Sequence, residues 1–359
     1  MSGLAQRLTQ AWLTRGPIAW ALSPVALLLW LLVSIRRWAY ANGCIQSQRL
    51  PRPVIVVGNR IAGGAGKTPT TIALLQHLQA RGLRPGVLTR GYKAPNSAEF
   101  GGVLLDELSA HKLDTLTTGD EPMLIWRRTG VPTLIDRDRA KGGAKLLQAH
   151  PEIDVLVCDD GLQHLKLKRD IEIVVFDARG QGNGWLLPAG PLREPISVIP
   201  TCELSTPPIV LYNASQPSTT LPGFVASTRT KPLQTLQSWW SGAAVSPELL
   251  DPQMTPVVHA LAGIAQPQRF FDALTQMGYL VQGIPLEDHA DLRDLPWPLA
   301  CRHLVVTEKD AVKLDPQHVA QARPHTKVWV AALDFSPEAR FWHELDAALD
   351  RAQRLRRQH

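Results

Sequence analysis

The chain has 359 residues, 45% of them hydrophobic and 19% charged, with a net charge of +6. That composition excludes a disordered or low-complexity protein, and the length allows two domains of ordinary size. The four cysteines, Cys44, Cys158, Cys202 and Cys301, are scattered with no C-x-x-C spacing, which argues against a disulfide framework or a thiolate zinc site and fits a reducing compartment.

Charge placement says more than the sum. Residues 1–98 hold 12 Lys and Arg and no acid, the first being Glu99, so the rest of the chain is net acidic. Within the cationic part, Pro17 to Ile35 is an uncharged run of 19 residues, near the length that crosses a hydrocarbon core of about 30 Å. Trp12, Trp20, Trp30 and Trp38 flank or punctuate it, and tryptophan favours the membrane–water boundary. Arg36 and Arg37 close it, which predicts an N-terminal anchor with the body of the protein in the cytoplasm. Ser23 and Pro24 leave an interfacial helix open as the alternative to a span. A basic stretch also suits nucleic acid, but nucleic acid does not require the apolar run; the predicted partner is an anionic lipid surface. "ANGC" at 41–44 faintly resembles a lipoprotein cleavage site, but the two arginines before it argue against cleavage.

"PVIVVGN" (Pro53 to Asn59) reads as a buried strand, and "KTPTTIALLQHLQARG" as a helix closed by Gly82. Between them lie Gly63, Gly64, Ala65 and Gly66. A strand, a glycine loop and a helix N-terminus aim backbone N–H groups and the positive end of the helix dipole at an anion. Lys67 then reaches the β- and γ-phosphates and the Thr68 hydroxyl ligates Mg²⁺, which makes ATP and Mg²⁺ the predicted cofactors. Ile61 stands where the strict phosphate-loop pattern has glycine. A glycine turn that merely joins strand to helix is the plainer alternative.

Further strands follow in "RPGVLTRGY", "VPTLIDRD", "DVLVCDDGLQH" and "IEIVVFDARG", alternating with helices. This predicts a mainly parallel α/β sheet with ligands at the strand C-terminal ends. Asp159 and Asp160 suit the acids that hold nucleotide-bound Mg²⁺, although one of them could simply cap the next turn. Asp120 and Glu121 of "GDEP" read, taken alone, as a helix cap. Asp288 and His289 read as a solvated turn. "TEKD" (Thr307 to Asp310) lacks the asparagine and spacing of the guanine-reading N-K-x-D element. The Pro-, Ser- and Thr-rich stretch near 195–225 reads as a connection. The predicted organisation is an anchor and basic flank over 1–50, a nucleotide-binding domain over 51–200, a connection over 201–225, and a second, smaller α/β domain over 226–359.

The order of "VVGN…GGAGKTP", "RGY", "GDEP", "DDGLQH", "GNGWLLPAGPLRE", "DH" and "TEKDAVK" resembles the tetraacyldisaccharide 4′-kinases, the lipid A 4′-kinases of Gram-negative bacteria. The resemblance runs from about residue 15 to 335. It implies transfer of the ATP γ-phosphate to the 4′-hydroxyl of a tetra-acylated glucosamine disaccharide 1-phosphate at the inner face of the inner membrane, giving lipid IVA. No obligate protein partner is implied. By the same resemblance Asp120 and His289 form the dyad that activates the acceptor, Glu121 assists metal binding, and Asp159 and Asp160 support the metal. Arg90, Tyr92, Arg139, Gln163, His164 and Arg193 lie near the lipid substrate. Ile61, Ala65 and Lys93 depart from the family pattern and bear on loop geometry. A membrane-associated ATPase switch acting on a protein partner is the competing reading; it would not need "GNGWLLPAGPLRE" or the dyad.

Overall fold

The computed structural model describes residues 10–91, 102–196, 207–243 and 248–358. Helix α1 (Pro17–Ala41) contains Pro24 and carries no charged residue before Arg36. It is long and apolar enough to cross a membrane by length and composition, with only 11% of its most apolar window buried. Ala19, Leu22, Ala26 and Leu29 recur at helical spacing and form its inward face: Ala19 and Ala26 are buried, and Leu22, Ala26 and Leu29 pack in a cluster with Ile61, Ala65, Leu186, Ala189 and Leu192. Trp20, Leu27, Trp30 and Trp38 lie on the exposed side.

The first sheet is built from β1 (Val54–Gly58), β2 (Pro85–Thr89), β3 (Val103–Leu105), β4 (Thr133–Ile135), β5 (Val155–Asp159), β6 (Ile171–Asp177), β7 (Ile209–Asn213) and β8 (Phe224–Thr230), plus β14 below. Its order is β14-β8-β7-β6-β1-β5-β2-β4-β3. All neighbours are parallel except the two edge pairs, β3–β4 and β14–β8. β1 is buried on both faces, as a central parallel strand requires. Ile55 and Val57 enter one core cluster, and Val54 and Val56 the other. Between these strands run α2 (Lys67–Ala80), α3 (Thr115–Thr118), α4 (Asp120–Thr129) and α5 (Arg139–Ala149).

The second sheet has the order β11-β10-β12-β13-β9, from β9 (Gln234–Thr235), β10 (Val257–Ala262), β11 (Leu280–Pro285), β12 (His303–Thr307) and β13 (Lys327–Ala331). It carries α6 (Leu236–Trp240), α7 (Pro267–Gln276), α8 (Glu308–Ala311) and α9 (Pro316–Ala322). The chain then returns: β14 (Leu333–Pro337) pairs with β8, and α10 (Ala339–Arg357) lays Phe341, Leu345 and Leu349 into the first core.

Sheet membership therefore differs from the expected division in two places. The connection expected over 201–225 contributes β7, which is held between β6 and β8, and β8 itself begins at Phe224. The last strand and helix belong with the first sheet, because the apolar stripe of α10 finds its partner surface there. The second sheet is an insertion between β8 and β14.

Candidate active site

The phosphate loop leaves β1 at Gly58 and enters α2 at Lys67. Gly63 and Gly66 have φ of 95° and 91°, the left-handed region that glycine enters without strain. At Gly66 a Cβ would also lie 2.3 Å from the Asn213 amide nitrogen, so any other residue would have to displace that side chain as well as strain the backbone. Three side chains, one from the loop itself and two from outside it, fix the loop. Asn59 donates to the Gly63 carbonyl at 3.1 Å, Arg179 to the Ala62 carbonyl at 3.2 Å and Asn213 to the Ala65 carbonyl at 3.4 Å. Asp177 holds the Arg179 guanidinium through Nε at 2.9 Å and Nη2 at 2.7 Å. Ile61 is fully buried beneath α1; its departure from the glycine pattern is a packing contact between loop and N-terminal helix.

Lys67 Nζ lies 3.3 Å from Asn59 Oδ1 and 3.8 Å from Asp160 Oδ1. Beside β1, β5 ends in the paired acids. Asp159 is buried and accepts from the Thr71 hydroxyl at 2.6 Å. Burial first, then the charges of Glu121 and Asp160, push its carboxyl up to about 7. Burial acts on Asp160 in the same direction, but Lys67, Arg193 and Arg139 outweigh it and hold that carboxyl below the usual range. Thr68 follows Lys67 in the first turn of α2.

Gly119, with φ of 83°, turns the chain into α4 and places Asp120 and Glu121 in the helix's first turn, where the dipole favours anions. His289 comes from the far side, on the loop after β11, itself in the left-handed region at φ 64°. Its Nδ1 is 2.9 Å from Asp120 Oδ2. Two residues overlooked by sequence reasoning complete this corner. Lys313 Nζ is 3.5 Å from Asp120 Oδ2, and Lys309 Nζ is 3.6 Å from Glu121 Oε1. Burial would raise the Asp120 pKa; the His289 hydrogen bond and the Lys313, His289 and Lys309 charges overcome it and keep the carboxyl low. Burial would lower Lys309, but the neighbouring acids Glu121 and Asp288 outweigh it and raise the amine above its ordinary value.

The remaining expected residues divide. Arg193 contacts Asp160 at 3.2 Å, and Arg90 is exposed just past the end of β2, on the carboxyl edge with the acids. Arg139 is buried, donating to the Asp159 and Asp160 carbonyls at 3.1 and 2.9 Å, which orients the acids. Gln163 donates to the Asn59 carbonyl and to Glu194, and Glu194 pairs with Arg37 at the end of α1. Burial, and then Arg139, lower His164 to about 4, and its Nε2 is buried without a hydrogen-bond partner among the described residues. Tyr92 lies outside the described residues. Arg179, Asn213 and Lys309 share one signal, since each stands at or within two residues of a strand's C-terminal end, and Lys313 lies four residues beyond Lys309.

No group of three His, Cys, Asp or Glu among the described residues could hold a metal unaided. The donor chemistry nevertheless fits Mg²⁺, a hard cation that binds through one or two carboxylates plus substrate phosphates. Asp159, Asp160 and Glu121 repel one another enough to perturb Asp159, and a cation would relieve this.

A glycine loop between a central parallel strand and a helix N-terminus, faced by acids on the adjacent strand, defines a nucleotide-binding α/β protein. Comparison with known proteins narrows the class. The family model described as tetraacyldisaccharide-1-P 4′-kinase matches residues 18–350. The tetraacyldisaccharide 4′-kinase of Methylibium petroleiphilum is 52% identical, over 95% of this chain and 93% of its own. That of Leptothrix cholodnii is 50% identical over 96% of both. The crystal structure described as the "apo" form of LpxK from Aquifex aeolicus in complex with ATP superposes with a TM-score of 0.74 at 26% identity. That match covers 93% of this chain and 98% of that one. The chain belongs to the tetraacyldisaccharide-1-P 4′-kinase family.

The Asp159 shift has a measurable consequence. The folded state binds this proton more tightly than the unfolded chain does, so the group costs nothing below about pH 4 and its cost grows until about pH 7. In metal- and nucleotide-free protein, Asp159→Asn removes that cost. Denaturant unfolding is expected to show the variant's advantage growing by about 2–3 kcal/mol between pH 5 and pH 8. An advantage independent of pH contradicts the assignment.

Proposed function

We infer that the protein transfers the γ-phosphate of ATP to the 4′-hydroxyl of a tetra-acylated glucosamine disaccharide 1-phosphate. The product is the 1,4′-bisphosphate, lipid IVA, of lipid A biosynthesis. The reading rests most on the Asp120–His289 pair, which joins the carboxyl edges of the two sheets beside the glycine loop. A protein that only hydrolyses ATP needs no such base for a second substrate.

In this reading the backbone N–H groups of Gly63 to Thr68, with Lys67, bind the triphosphate. Thr68, Glu121, Asp159 and Asp160 would hold Mg²⁺, which when bound neutralises charge on the phosphate oxygens. Asp120 accepts the hydroxyl proton as the 4′-oxygen forms its bond to phosphorus; the bond to the ADP oxygen breaks and ADP leaves. The transition state is loose and positioning dominates, so a base with a low pKa suffices to take a proton late. His289 orients that base. Arg90 and Arg193 offer guanidinium forks suited to the substrate's 1-phosphate. Arg139 supports Asp159 and Asp160, Gln163 fixes the loop at Asn59, and the neutral His164 lines the adjoining wall.

The exposed face of α1 is taken to sit in the cytoplasmic leaflet of the inner membrane, with Arg36 and Arg37 at anionic headgroups. An acceptor that is itself a lipid then meets ATP where the helix packs on the glycine loop. The contact of Ala26 with the Ile61 and Ala65 cluster means that removing the helix would disturb the loop as well.

Incubation with ATP labelled in the γ-phosphate, Mg²⁺ and the acylated disaccharide in mixed micelles is expected to put label on the sugar. Phosphate release at the same rate with or without the disaccharide, and no labelled lipid, would favour a hydrolytic switch. For the membrane assignment, Leu27→Lys with Leu31→Lys places charge on the exposed face, at about 2.5–3.5 kcal/mol per residue in a bilayer centre. Vesicle binding is expected to fall at least about tenfold with ATP affinity unchanged; undiminished vesicle binding would contradict the assignment.

A further inference from the structure

"TEKDAVK" (Thr307 to Lys313) leaves β12 and begins with α8, whose first turn the Thr307 side chain caps by accepting from the Asp310 N–H. Lys309 and Lys313 are four residues apart, and each brings an ammonium to one member of the dyad. Lys313 Nζ, almost fully buried, donates to Asp310 at 3.0 Å and to the Ala290 carbonyl at 3.1 Å, besides lying 3.5 Å from Asp120. Asp310 is buried and accepts from the Gly263 N–H and the Thr307 hydroxyl. The turn bearing His289 is thus tied down on the Ala290 side. Lys309 Nζ lies 2.9 Å from Asp288 Oδ1 and 3.2 Å from His289 Nε2.

An ammonium has hydrogens to give and no lone pair to offer. Facing His289 Nε2, it makes that nitrogen the acceptor, and the ring proton must then reside on Nδ1, the nitrogen that faces Asp120. We propose that Lys309 is a positioning residue of the transfer reaction, which fixes the His289 imidazole as the Nδ1–H tautomer so that it donates to Asp120 and leaves the carboxylate's other oxygen for the acceptor hydroxyl. The proposal rests on the kinase reading above. A lysine that merely ties the second sheet to α4 would satisfy Asp288 and Glu121 equally well, and the two roles separate experimentally.

The test compares full-length wild type with Lys309→Met and Lys309→Gln. Methionine keeps the stem and removes the donor; glutamine keeps an N–H donor without the charge. With ATP, Mg²⁺ and the acylated disaccharide, Lys309→Met is expected to lower kcat about tenfold or more while the KM for ATP changes less than about threefold, and Lys309→Gln is expected to recover part of that loss. Nitrogen NMR of histidine-labelled protein, with the His289 signal assigned by its absence in His289→Asn, reports the tautomer without turnover. It should show the Nδ1–H form in wild type and a mixture in Lys309→Met. An unchanged kcat in Lys309→Met, or an unchanged tautomer, overturns the proposal. If Lys309→Met proves too unstable to assay, Lys309→Gln decides: loss of activity with the tautomer retained also overturns it. Absence of phosphoryl transfer by wild type would sink the kinase reading alone, because the tautomer measurement still tests Lys309.

Discussion

The Asp120 carboxylate and the His289 imidazole come from different sheets, and the hydrogen bond between them can form only while α4 holds those sheets in register. The helix is anchored at both ends. Its first turn presents Asp120 and Glu121 to the second sheet's loops, and its last turn sends Arg128 into a two-pronged contact with Glu308 at 2.6 and 2.7 Å. Glu308 also accepts from the Trp239 indole and the Leu333 N–H, and Arg127 lies 3.8 Å over the Trp240 ring. Breaking one side of such a buried ion pair costs about 3–5 kcal/mol. A helix of three turns therefore carries both Asp120 and the brace that keeps His289 within reach.

Electrostatics around this point are graded by distance from the cations. Asp120 and Asp160, each with lysine or arginine beside it, are held ionised; Asp159, buried and flanked by other acids, is not. Chemically similar carboxyls are thus shifted in opposite directions by environment alone. Asp159 is the acid left short of positive charge, and a divalent ion there would supply the missing balance. The N-terminal helix joins the same arrangement, since its inward face packs on Ile61 and Ala65 and its terminal Arg37 reaches Glu194, which in turn holds Gln163 against Asn59.

Much of this was legible in residues 53–82, where a β-branched run, three glycines and an apolar helix face dictate strand, loop and helix with little help from the rest of the chain. The acids of "DDGLQH" stand out as an adjacent pair at a strand end, whereas those of "GDEP" read alone as a helix cap and are singled out only by the family resemblance. What escaped depended on long-range packing. β7 sits in a proline- and serine-rich stretch whose turn residues mask four buried ones, and α10 returns to the first core from more than a hundred residues away. Lys309 and Lys313 gain no role from "TEKDAVK" in the sequence, where "TEKD" fails as a base-reading element and the longer motif only carries the family resemblance. Their importance comes from a turn near residue 289 that no local pattern ties to residue 309. The family resemblance places Arg139 near the lipid substrate, whereas its burial against two carbonyls depends on how α5 brings it to the end of β5.

The central claim is that Asp120 and His289 act as one unit across the two sheets. A double-mutant cycle on kcat with Asp120→Asn, His289→Asn and both together tests it directly. Coupled residues predict that the double variant loses no more than the worse single variant, an interaction energy above about 1 kcal/mol. Losses that simply multiply would mean that the two side chains touch in the structure but work apart.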